Sequence, residues 1–309
     1  MTGKFIAEKS WTGKPSVAIV GAGRLASFLA MTLHDAGFTI AEIITRDSPR
    51  SRRRALALAA KVGARIATAR SAVLDTTLLW FCVPDAEIHG AAAALAARVA
   101  ASATASMPRL AFHSSGALLS SELDPLRQAG VRVASVHPLM TFVAGENPSL
   151  AGVPFALEGD DAATKIARRI VRELGGKSFS LAASRKAAYH AWATMTSPLL
   201  LAFFVALEEA AHAAGLTPRE ARSKSLPILR QTLENYARLG AARSFTGPLV
   251  RGDAETVVKH LAVLKKYPGT RDVYGALARA ALRGLPVKNR SELEKLLRAF
   301  NPDPNERCR

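Results

Sequence analysis

Residues 17–26 read Val17-Ala-Ile-Val-Gly21-Ala-Gly23-Arg-Leu-Ala26, an apolar strand followed by a G-x-G-x-x-A turn and an amphipathic helix. In such a turn Gly21 permits the tight bend, Gly23 lets the backbone approach a pyrophosphate, and Ala26 lets the helix pack closely on the strand. The phosphates would then lie at the positive N-terminus of the helix. The alternative is a glycine turn in an α/β protein that binds no nucleotide. We predict a dinucleotide site with cofactor contacts from Gly21, Ala22, Gly23, Arg24 and Leu25.

Short apolar runs alternate with helix-like stretches from residue 16 to about residue 181. Several of the runs are almost continuously apolar, which is typical of strands covered on both faces. The alternation predicts a Rossmann-type, doubly wound α/β sheet over residues 14–182. The predicted strands are Val17–Val20, Ala41–Thr45, Thr77–Val83, Leu110–His113, Val131–Val136, Pro154–Leu157 and Lys177–Leu181.

Strand signals stop after residue 182, and the rest of the chain has the pattern of helices separated by glycines. This pattern predicts an all-helical C-terminal domain over residues 183–309. The predicted helices are Ala183–Ala214, with a break at Ser197-Pro198, and then Pro218–Leu239, Ala254–Lys265, Arg271–Arg283 and Ser291–Phe300.

Length and composition fit a two-domain protein of a reducing cytosol. The 309 residues exceed what one core usually holds. Two cysteines, Cys82 and Cys308, are too few for a disulfide framework. The longest apolar run, Leu199 to Leu207, is shorter than the roughly 20 residues of a membrane span, so we predict no membrane partner. The net charge of +17 is spread along the chain without an aromatic-rich motif, which favours an anionic cofactor over nucleic acid.

The end of the second predicted strand distinguishes NAD from NADP. An acid there binds the ribose hydroxyls of NAD, whereas an arginine binds the 2′-phosphate of NADP. Arg46 lies at the expected distance after the glycine turn, and a dense basic cluster, Arg50–Arg54, follows it. Asp47 leaves NAD open as the alternative. We predict NADP, held by Arg46 through a forked, charge-assisted contact.

A third element of the site is the apolar strand that ends at Val83-Pro84-Asp85. Ligands of doubly wound sheets bind at the carboxyl ends of the strands. We therefore predict cofactor contacts from Val83 and Pro84, whereas Asp85 is interpreted mainly as a cap of the following helix.

Four further stretches together resemble a known family. They are Phe112-His-Ser-Ser-Gly-Ala117, Ser135-Val-His-Pro138, Tyr189-His190 and Thr246-Gly-Pro-Leu-Val-Arg-Gly-Asp253. The combination is similar to oxidoreductases that join a Rossmann-like domain to a C-terminal domain of unknown function. They belong to the 6-phosphogluconate-dehydrogenase-like superfamily, with ketopantoate reductase and pyrroline-5-carboxylate reductase as relatives. The resemblance implies a homodimer formed through the helical domain and a small carbonyl or imine substrate that bears a carboxylate.

The first helix after the domain boundary carries the predicted catalytic residues. At 100° per residue, Lys186, His190 and Ser197 share one face, and an imidazole can exchange a proton near neutral pH. His190 is the predicted proton donor, with Lys186 beside it and Ser197 as a substrate contact. The alternatives are a buried structural histidine and a solvent-facing lysine. Related reductases have an asparagine near Ser197, and its absence leaves that contact open. Trp192 and Met195 point elsewhere and are predicted to be core.

Other predicted substrate contacts follow strands or occupy loops. Ser114, Ser115 and Gly116 come after an apolar strand, and His137 follows the next one, although ordinary turn chemistry is an alternative for them. Arg251 offers a fork for a carboxylate or phosphate, and Asp253 is expected to cap the helix that begins at Ala254. No metal-binding motif is present in the sequence.

Together these features predict an NADP(H)-dependent oxidoreductase that reduces a small 2-oxo compound bearing a carboxylate, such as ketopantoate. One alternative is an imino-acid reductase of the pyrroline-5-carboxylate type. It differs in its chemistry, because a protonated imine needs no proton donor from the protein. The other alternative is a non-catalytic, NADP-binding regulatory module, which would keep Gly21, Gly23 and Arg46 without needing Lys186 and His190.

Overall fold

The computed structural model describes residues 13–101, 109–143, 145–146 and 148–300. The chain forms two compact units, Met1–Thr194 and Met195–Arg309. The division therefore falls twelve residues after the boundary expected from the sequence, because most of the first helix after the sheet belongs to the first unit. Cys308 lies outside the described residues.

The first unit is built on an eight-stranded sheet of order β3-β2-β1-β4-β5-β6-β7-β8. All neighbouring strands are parallel except β6 and β7, which are antiparallel. This confirms the Rossmann-type prediction. The strands are β1 (Val17–Val20), β2 (Ile40–Ile44), β3 (Arg65–Ala67), β4 (Leu78–Phe81), β5 (Leu110–His113), β6 (Arg132–Pro138), β7 (Pro154–Gly159) and β8 (Lys177–Ser180).

The sheet is covered on both faces, and its alternating side chains enter two cores. Val17 and Ile19 of β1 pack in one core, whereas Ala18 and Val20 pack in the other. Successive residues of a strand point to opposite faces, so an unbroken apolar run is what a sandwiched strand requires. The helices of this unit are α1 (Arg24–Asp35), α2 (Pro49–Val62), α3 (Asp85–Ala101), α4 (Asp124–Gln128), α5 (Asp161–Glu173) and all but the last two residues of α6 (Lys186–Thr196).

The second unit is helical in the part of the chain that is described. Its small core joins α11, α12 and α13 through Val257, Leu261, Ala278, Leu282, Leu293 and Leu297. Asp253 caps α11, since its carboxylate accepts a hydrogen bond from the backbone N–H of Thr256 (3.0 Å). That prediction is therefore confirmed. The helices are α7 (Pro198–Ala213), α8 (Pro218–Leu239), α9 (Ala241–Ser244), α10 (Pro248–Arg251), α11 (Ala254–Val263), α12 (Pro268–Gly284) and α13 (Arg290–Phe300).

The long helix predicted over Ala183–Ala214 is interrupted at Ser197, as Pro198 requires, because proline cannot donate a backbone hydrogen bond. Two residues near this break contradict the sequence interpretation. Trp192 and Met195 were expected in the core, but they are 53% and 68% exposed. These two side chains therefore face outward, whereas Tyr189 of the same helix is buried.

The helical run Ala183–Ala213 is long and apolar enough to cross a membrane by length and composition. The prediction of no membrane partner considered only the uninterrupted apolar run, which is shorter. Core helices of soluble proteins have the same length and composition, so one such helix does not indicate a span. The lysine near the start of this run, Lys186, is buried against the sheet.

Candidate functional site

A cavity of about 760 Å³ opens at the carboxyl ends of β1, β2 and β4. This is within the size range of small-molecule and cofactor sites. It lies at the edge of the sheet where doubly wound folds bind their ligands. The predicted cofactor residues that line it are Gly21, Ala22, Gly23, Arg46, Val83 and Pro84.

The glycine turn leaves room for a ligand above the start of α1. Gly21 has φ +119°, and a Cβ there would lie 2.5 Å from the carbonyl oxygen of Cys82, so only glycine fits between β1 and β4. A Cβ on Gly23, by contrast, would meet no atom within 4 Å. Gly23 precedes α1 without a capping side chain, and the first turn carries no acid. The N–H groups of this turn are therefore suited to an anion.

Arg24 and Leu25 begin α1 and, among the described residues, are not part of the cavity lining. Leu25 packs against the core of the sheet instead. Their predicted cofactor contacts would therefore have to come from the backbone of the first turn of α1.

Three arginines line the end of the cavity beyond β2, where the sequence predicts a 2′-phosphate. Arg46 is among them, and its Nη1 is 2.7 Å from Oε1 of Glu87 in α3. Arg70 lies 3.8 Å from the carboxylate of Asp47, and Arg54 is the third. Both acids lie on the same cavity wall as the arginines. A 2′-phosphate would therefore bind here in competition with two carboxylates.

The loop after β5 carries Ser114 and Ser115, both less than 9% exposed. Ser114 accepts a hydrogen bond from the indole N–H of Trp80 (2.9 Å). The backbone N–H of Ser115 donates to Nδ1 of His113 (3.1 Å), and Nε2 of His113 lies 2.9 Å from the carbonyl oxygen of Leu119. His113, interpreted from the sequence as structural, thus holds both ends of the loop.

This loop is also joined to the cofactor cavity. The hydroxyl of Ser115 donates to the carboxylate of Asp85 at 2.8 Å. Asp85 is the first residue of α3 and directly follows Val83 and Pro84, which line the cavity. The sequence interpretation of Asp85 as mainly a helix cap missed this contact.

Lys186, the first residue of α6, is only 3% exposed. Its ammonium donates a hydrogen bond to the hydroxyl of Ser135 and lies 3.9 Å from the carboxylate of Glu158. Burial lowers the pKa of Lys186 to about 8, whereas the charges of Glu158 and Asp85 act to raise it. The alternative of a solvent-facing lysine is therefore wrong.

Two histidine rings meet at Gly116. A Cβ on Gly116 would lie 2.7 Å from Cδ2 of His190 and 2.8 Å from Nε2 of His137. The ring centroids of the two histidines are 6.4 Å apart. Nδ1 of His137 is hydrogen-bonded to the hydroxyl of Tyr189 (2.7 Å). Gly116, His137 and His190 are thus brought together, as the sequence predicts for substrate and catalytic residues.

The electrostatic environment keeps His113 and His137 neutral. Burial, together with the charge of Lys186, lowers the pKa of His113 and the pKa of His137 to about 4. At neutral pH these two rings carry no charge. Lys186 is therefore the buried cation of this cluster.

Two other predicted substrate contacts, Ser197 and Arg251, belong to the second compact unit. Ser197 lies at the N-terminus of α7, and Arg251 is the last residue of the short helix α10. Their substrate contacts remain predictions.

Two residues that contact Lys186 were not singled out from the sequence as site residues. Ser135 and Glu158 are directly paired across β6 and β7. Ser135 begins one of the family-like stretches and Glu158 lies in no motif, but the relation of both to Lys186 depends on the antiparallel pairing. Among the residues that the structure describes, no group of three or more His, Cys, Asp or Glu side chains could hold a metal ion.

Two family models match the chain, each over one part of it. Residues 6–138 match the Rossmann-like domain. Residues 153–281 match a domain of unknown function, DUF2520. The second match begins near β7 and includes both Glu158 and Lys186. No curated protein matches the chain by sequence.

Solved structures with a similar fold include three that cover most of the chain. A Bacteroides fragilis protein with the provisional name NADP oxidoreductase is 20% identical, with a TM-score of 0.69 over 86% of this chain and 97% of its own. A reductive aminase from Aspergillus terreus, solved with NADPH and ethyl-5-oxohexanoate, is 18% identical, with a TM-score of 0.62 over 94% and 100%. A pyrroline-5-carboxylate reductase from Coxiella burnetii is 13% identical, with a TM-score of 0.56 over 87% and 98%.

At these identities the structural likeness shows the fold, and the two family matches show how the chain is composed. The chain combines a Rossmann-like domain with a C-terminal DUF2520 domain, the combination that its motifs resemble.

Proposed function

We propose that this protein is an NADP(H)-dependent oxidoreductase that reduces a small 2-oxo compound bearing a carboxylate. The observation that carries the proposal is the connection of buried Lys186 to the cofactor cavity. Lys186 donates a hydrogen bond to Ser135, Ser135 donates one to Ser115, and Ser115 donates one to Asp85 beside the cavity. A proton donor beside a dinucleotide cavity is what reduction of a carbonyl group requires.

The residues of the cavity fit a dinucleotide phosphate. The pyrophosphate would lie on Gly23 and the first turn of α1, where the space is open and the backbone N–H groups lack a capping side chain. The 2′-phosphate would lie among Arg46, Arg54 and Arg70. When bound, the reduced nicotinamide supplies the hydride. The names of the solved structures, an NADP oxidoreductase and an aminase with NADPH, support this choice of cofactor.

The chain itself supplies the proton. Reduction of a 2-oxo acid adds a hydride to the carbonyl carbon and a proton to its oxygen, which gives a 2-hydroxy acid. Lys186, with a pKa of about 8, is mainly an ammonium at neutral pH and donates that proton. His190 and His137, on either side of Gly116, orient the carbonyl oxygen through hydrogen bonds. The proposed proton donor is thus Lys186, whereas the sequence analysis chose His190 as the donor with Lys186 beside it.

The second candidate is reduction of an imine. The observation that favours it is the likeness to a reductive aminase and to a pyrroline-5-carboxylate reductase. A protonated imine already carries its proton, so hydride transfer alone completes the reduction. Lys186 would then be dispensable for the proton, which separates the two candidates experimentally.

We also propose that the helical unit forms a homodimer. Large apolar side chains on α7 and α8 are exposed, and single-chain surfaces rarely carry so many in neighbouring helices. α7 and α8 are in contact with each other, so these side chains lie on neighbouring helices. The exposed residues are Leu199, Leu200, Leu201, Val205, Leu226, Ile228, Leu233 and Tyr236.

The function is tested by following NADPH oxidation with a panel of 2-oxo acids and cyclic imino acids. Wild-type protein is compared with Lys186→Met, His190→Ala and the control Lys177→Met, which alters an exposed lysine of β8. We expect turnover of a 2-oxo acid that falls by about 10²–10⁴-fold in Lys186→Met and is unchanged in the control. Turnover of an imine alone, with Lys186→Met still active, would favour the second candidate. NADPH binding without turnover of any substrate would favour a regulatory module.

A further inference from the structure

Glu158 and Ser135 face each other across the antiparallel pair of β7 and β6. Directly opposed residues of such a pair have Cβ atoms only about 5 Å apart and point to the same face. Lys186 contacts both of them, donating to the Ser135 hydroxyl and lying 3.9 Å from Glu158 Oε2. The pairing of β6 with β7, the one antiparallel pairing in the described sheet, thus brings together the two residues that Lys186 contacts.

The carboxylate of Glu158 is itself fixed. Its Oε2 accepts a hydrogen bond from the backbone N–H of Ser120 (2.7 Å), and its Oε1 accepts one from the Ser120 hydroxyl (2.8 Å). Its side chain is only 11% exposed. Two hydrogen bonds from one residue therefore hold the Glu158 carboxylate in a fixed place.

Charged and titratable groups surround Lys186 from several elements. Glu158 on β7 and Asp85 at the start of α3 act to raise its pKa, and burial outweighs them. His113 on β5 and His137 on β6 are neutral at pH 7 because their pKa values are lowered to about 4. The two carboxylates are therefore the groups that oppose the loss of the lysine proton. Of the two, Glu158 raises the pKa of Lys186 more than Asp85 does.

We propose that Glu158 is a positioning residue that holds Lys186 against Ser135 and keeps it in the ammonium form. Its catalytic consequence rests on the proposed function, in which Lys186 donates a proton. Glu158 does not take part in the transfer itself. It sets the fraction of enzyme molecules that have a proton to donate and the direction in which the ammonium points.

The test measures the protonation of Lys186 without using activity. Protein labelled with ¹³C- and ¹⁵N-lysine is titrated by NMR, and the Lys186 resonance is assigned by its loss in Lys186→Arg. We expect the pKa of Lys186 to fall by about 1–3 units in Glu158→Gln. The same amide replacement at an exposed site, Glu173→Gln, should leave it unchanged.

A second variant keeps the test valid if Glu158→Gln does not fold. Glu158→Asp retains the charge but withdraws it by one methylene group, so the pKa should fall by less than in Glu158→Gln. In activity assays the alkaline limb of the pH profile should move to lower pH together with the NMR value. An unchanged Lys186 pKa in folded Glu158→Gln, or in folded Glu158→Asp if the glutamine variant does not fold, would overturn the inference. A lowered pKa with activity independent of Lys186 would uphold the pairing and overturn the proposed function instead.

Discussion

The hydroxyl of Ser115 donates to the carboxylate of Asp85 at 2.8 Å, and this bond joins the loop after β5 to the first turn of α3. Asp85 follows two residues that line the cofactor cavity, and the carbonyl oxygen of Ser115 accepts a hydrogen bond from Ser135, which holds Lys186. One serine therefore connects the proposed cofactor site with the proposed proton donor.

The first prediction concerns this serine. Ser115→Ala removes the bond to Asp85 and the acceptor for the N–H groups of Ala117 and Leu118. We expect kcat to fall by about 10²-fold, because small misplacements of catalytic groups cost that much, while NADPH binding changes little. Steady-state kinetics and nucleotide titration measure the two effects. Ser180→Ala, at an exposed position of β8, is the control, and an unchanged kcat in Ser115→Ala would refute the role of the connection.

The second prediction concerns the space at Gly116. The methyl group of Gly116→Ala would lie within 2.8 Å of both His137 and His190, closer than carbon atoms approach in proteins. At least one ring must shift, and we expect at least about a tenfold loss of kcat. The control is Gly269→Ala, where a methyl group meets no atom within 4 Å. Full activity in Gly116→Ala would show that the positions of the rings do not matter.

The third prediction concerns acid stability. His113 has a pKa of about 4 in the folded protein and about 6.5 when exposed, so the unfolded chain binds the extra proton first as pH falls. The contribution of the neutral His113 ring to the free energy of unfolding is fully present above pH 6.5. It is lost progressively between pH 6.5 and pH 4, to a total of about 3 kcal/mol.

Thermal unfolding at pH 7 and pH 5 checks this stability change. We expect the difference in Tm between the two pH values to be smaller in His113→Asn than in wild type. The same replacement at the exposed His34 should not change the difference. An equal pH dependence in His113→Asn and wild type would mean that another group governs acid stability.

The fourth prediction concerns the apolar surface of α7 and α8. Leu201 and Ile228 are 61% and 62% exposed, and a charge at either place would be buried in a homodimer. We expect Leu201→Glu and Ile228→Glu to be monomers by light scattering where the wild type is a dimer. Leu56→Glu, on an exposed position of α2, should not change the mass. A monomeric wild type would contradict the dimer.

The Rossmann part of the fold follows from the sequence because its strands are sandwiched. β1 and β5 are found at the predicted residues, because a short, continuously apolar run is buried only when it lies between the two cores. β3 was not predicted: Arg65-Ile66-Ala67 is a three-residue edge strand with one buried side chain, and so short a segment has no readable period.

The site was predictable where motifs follow strands and unpredictable where tertiary pairing creates it. Gly23 and Ser115 were singled out from the sequence, because a turn and a strand end place them, and His190 was singled out by its face of a helix. Glu158 was not, since only the pairing of β6 with β7 brings it to Lys186. Trp192 was wrongly assigned to the core, because an apolar pattern does not distinguish a buried face from an exposed apolar one.

The most direct test of the account is the binding of NADPH and NADH, followed by nucleotide fluorescence, to wild-type protein and to Arg46→Ala. Arg46 lines the cavity beyond β2, where the 2′-phosphate is proposed to bind. We expect wild type to bind NADPH at least about tenfold more tightly than NADH, and Arg46→Ala to lose most of that preference while NADH binding is unchanged. Arg219→Ala, at an exposed position of α8, should behave as wild type. Binding of neither nucleotide would contradict the proposed function.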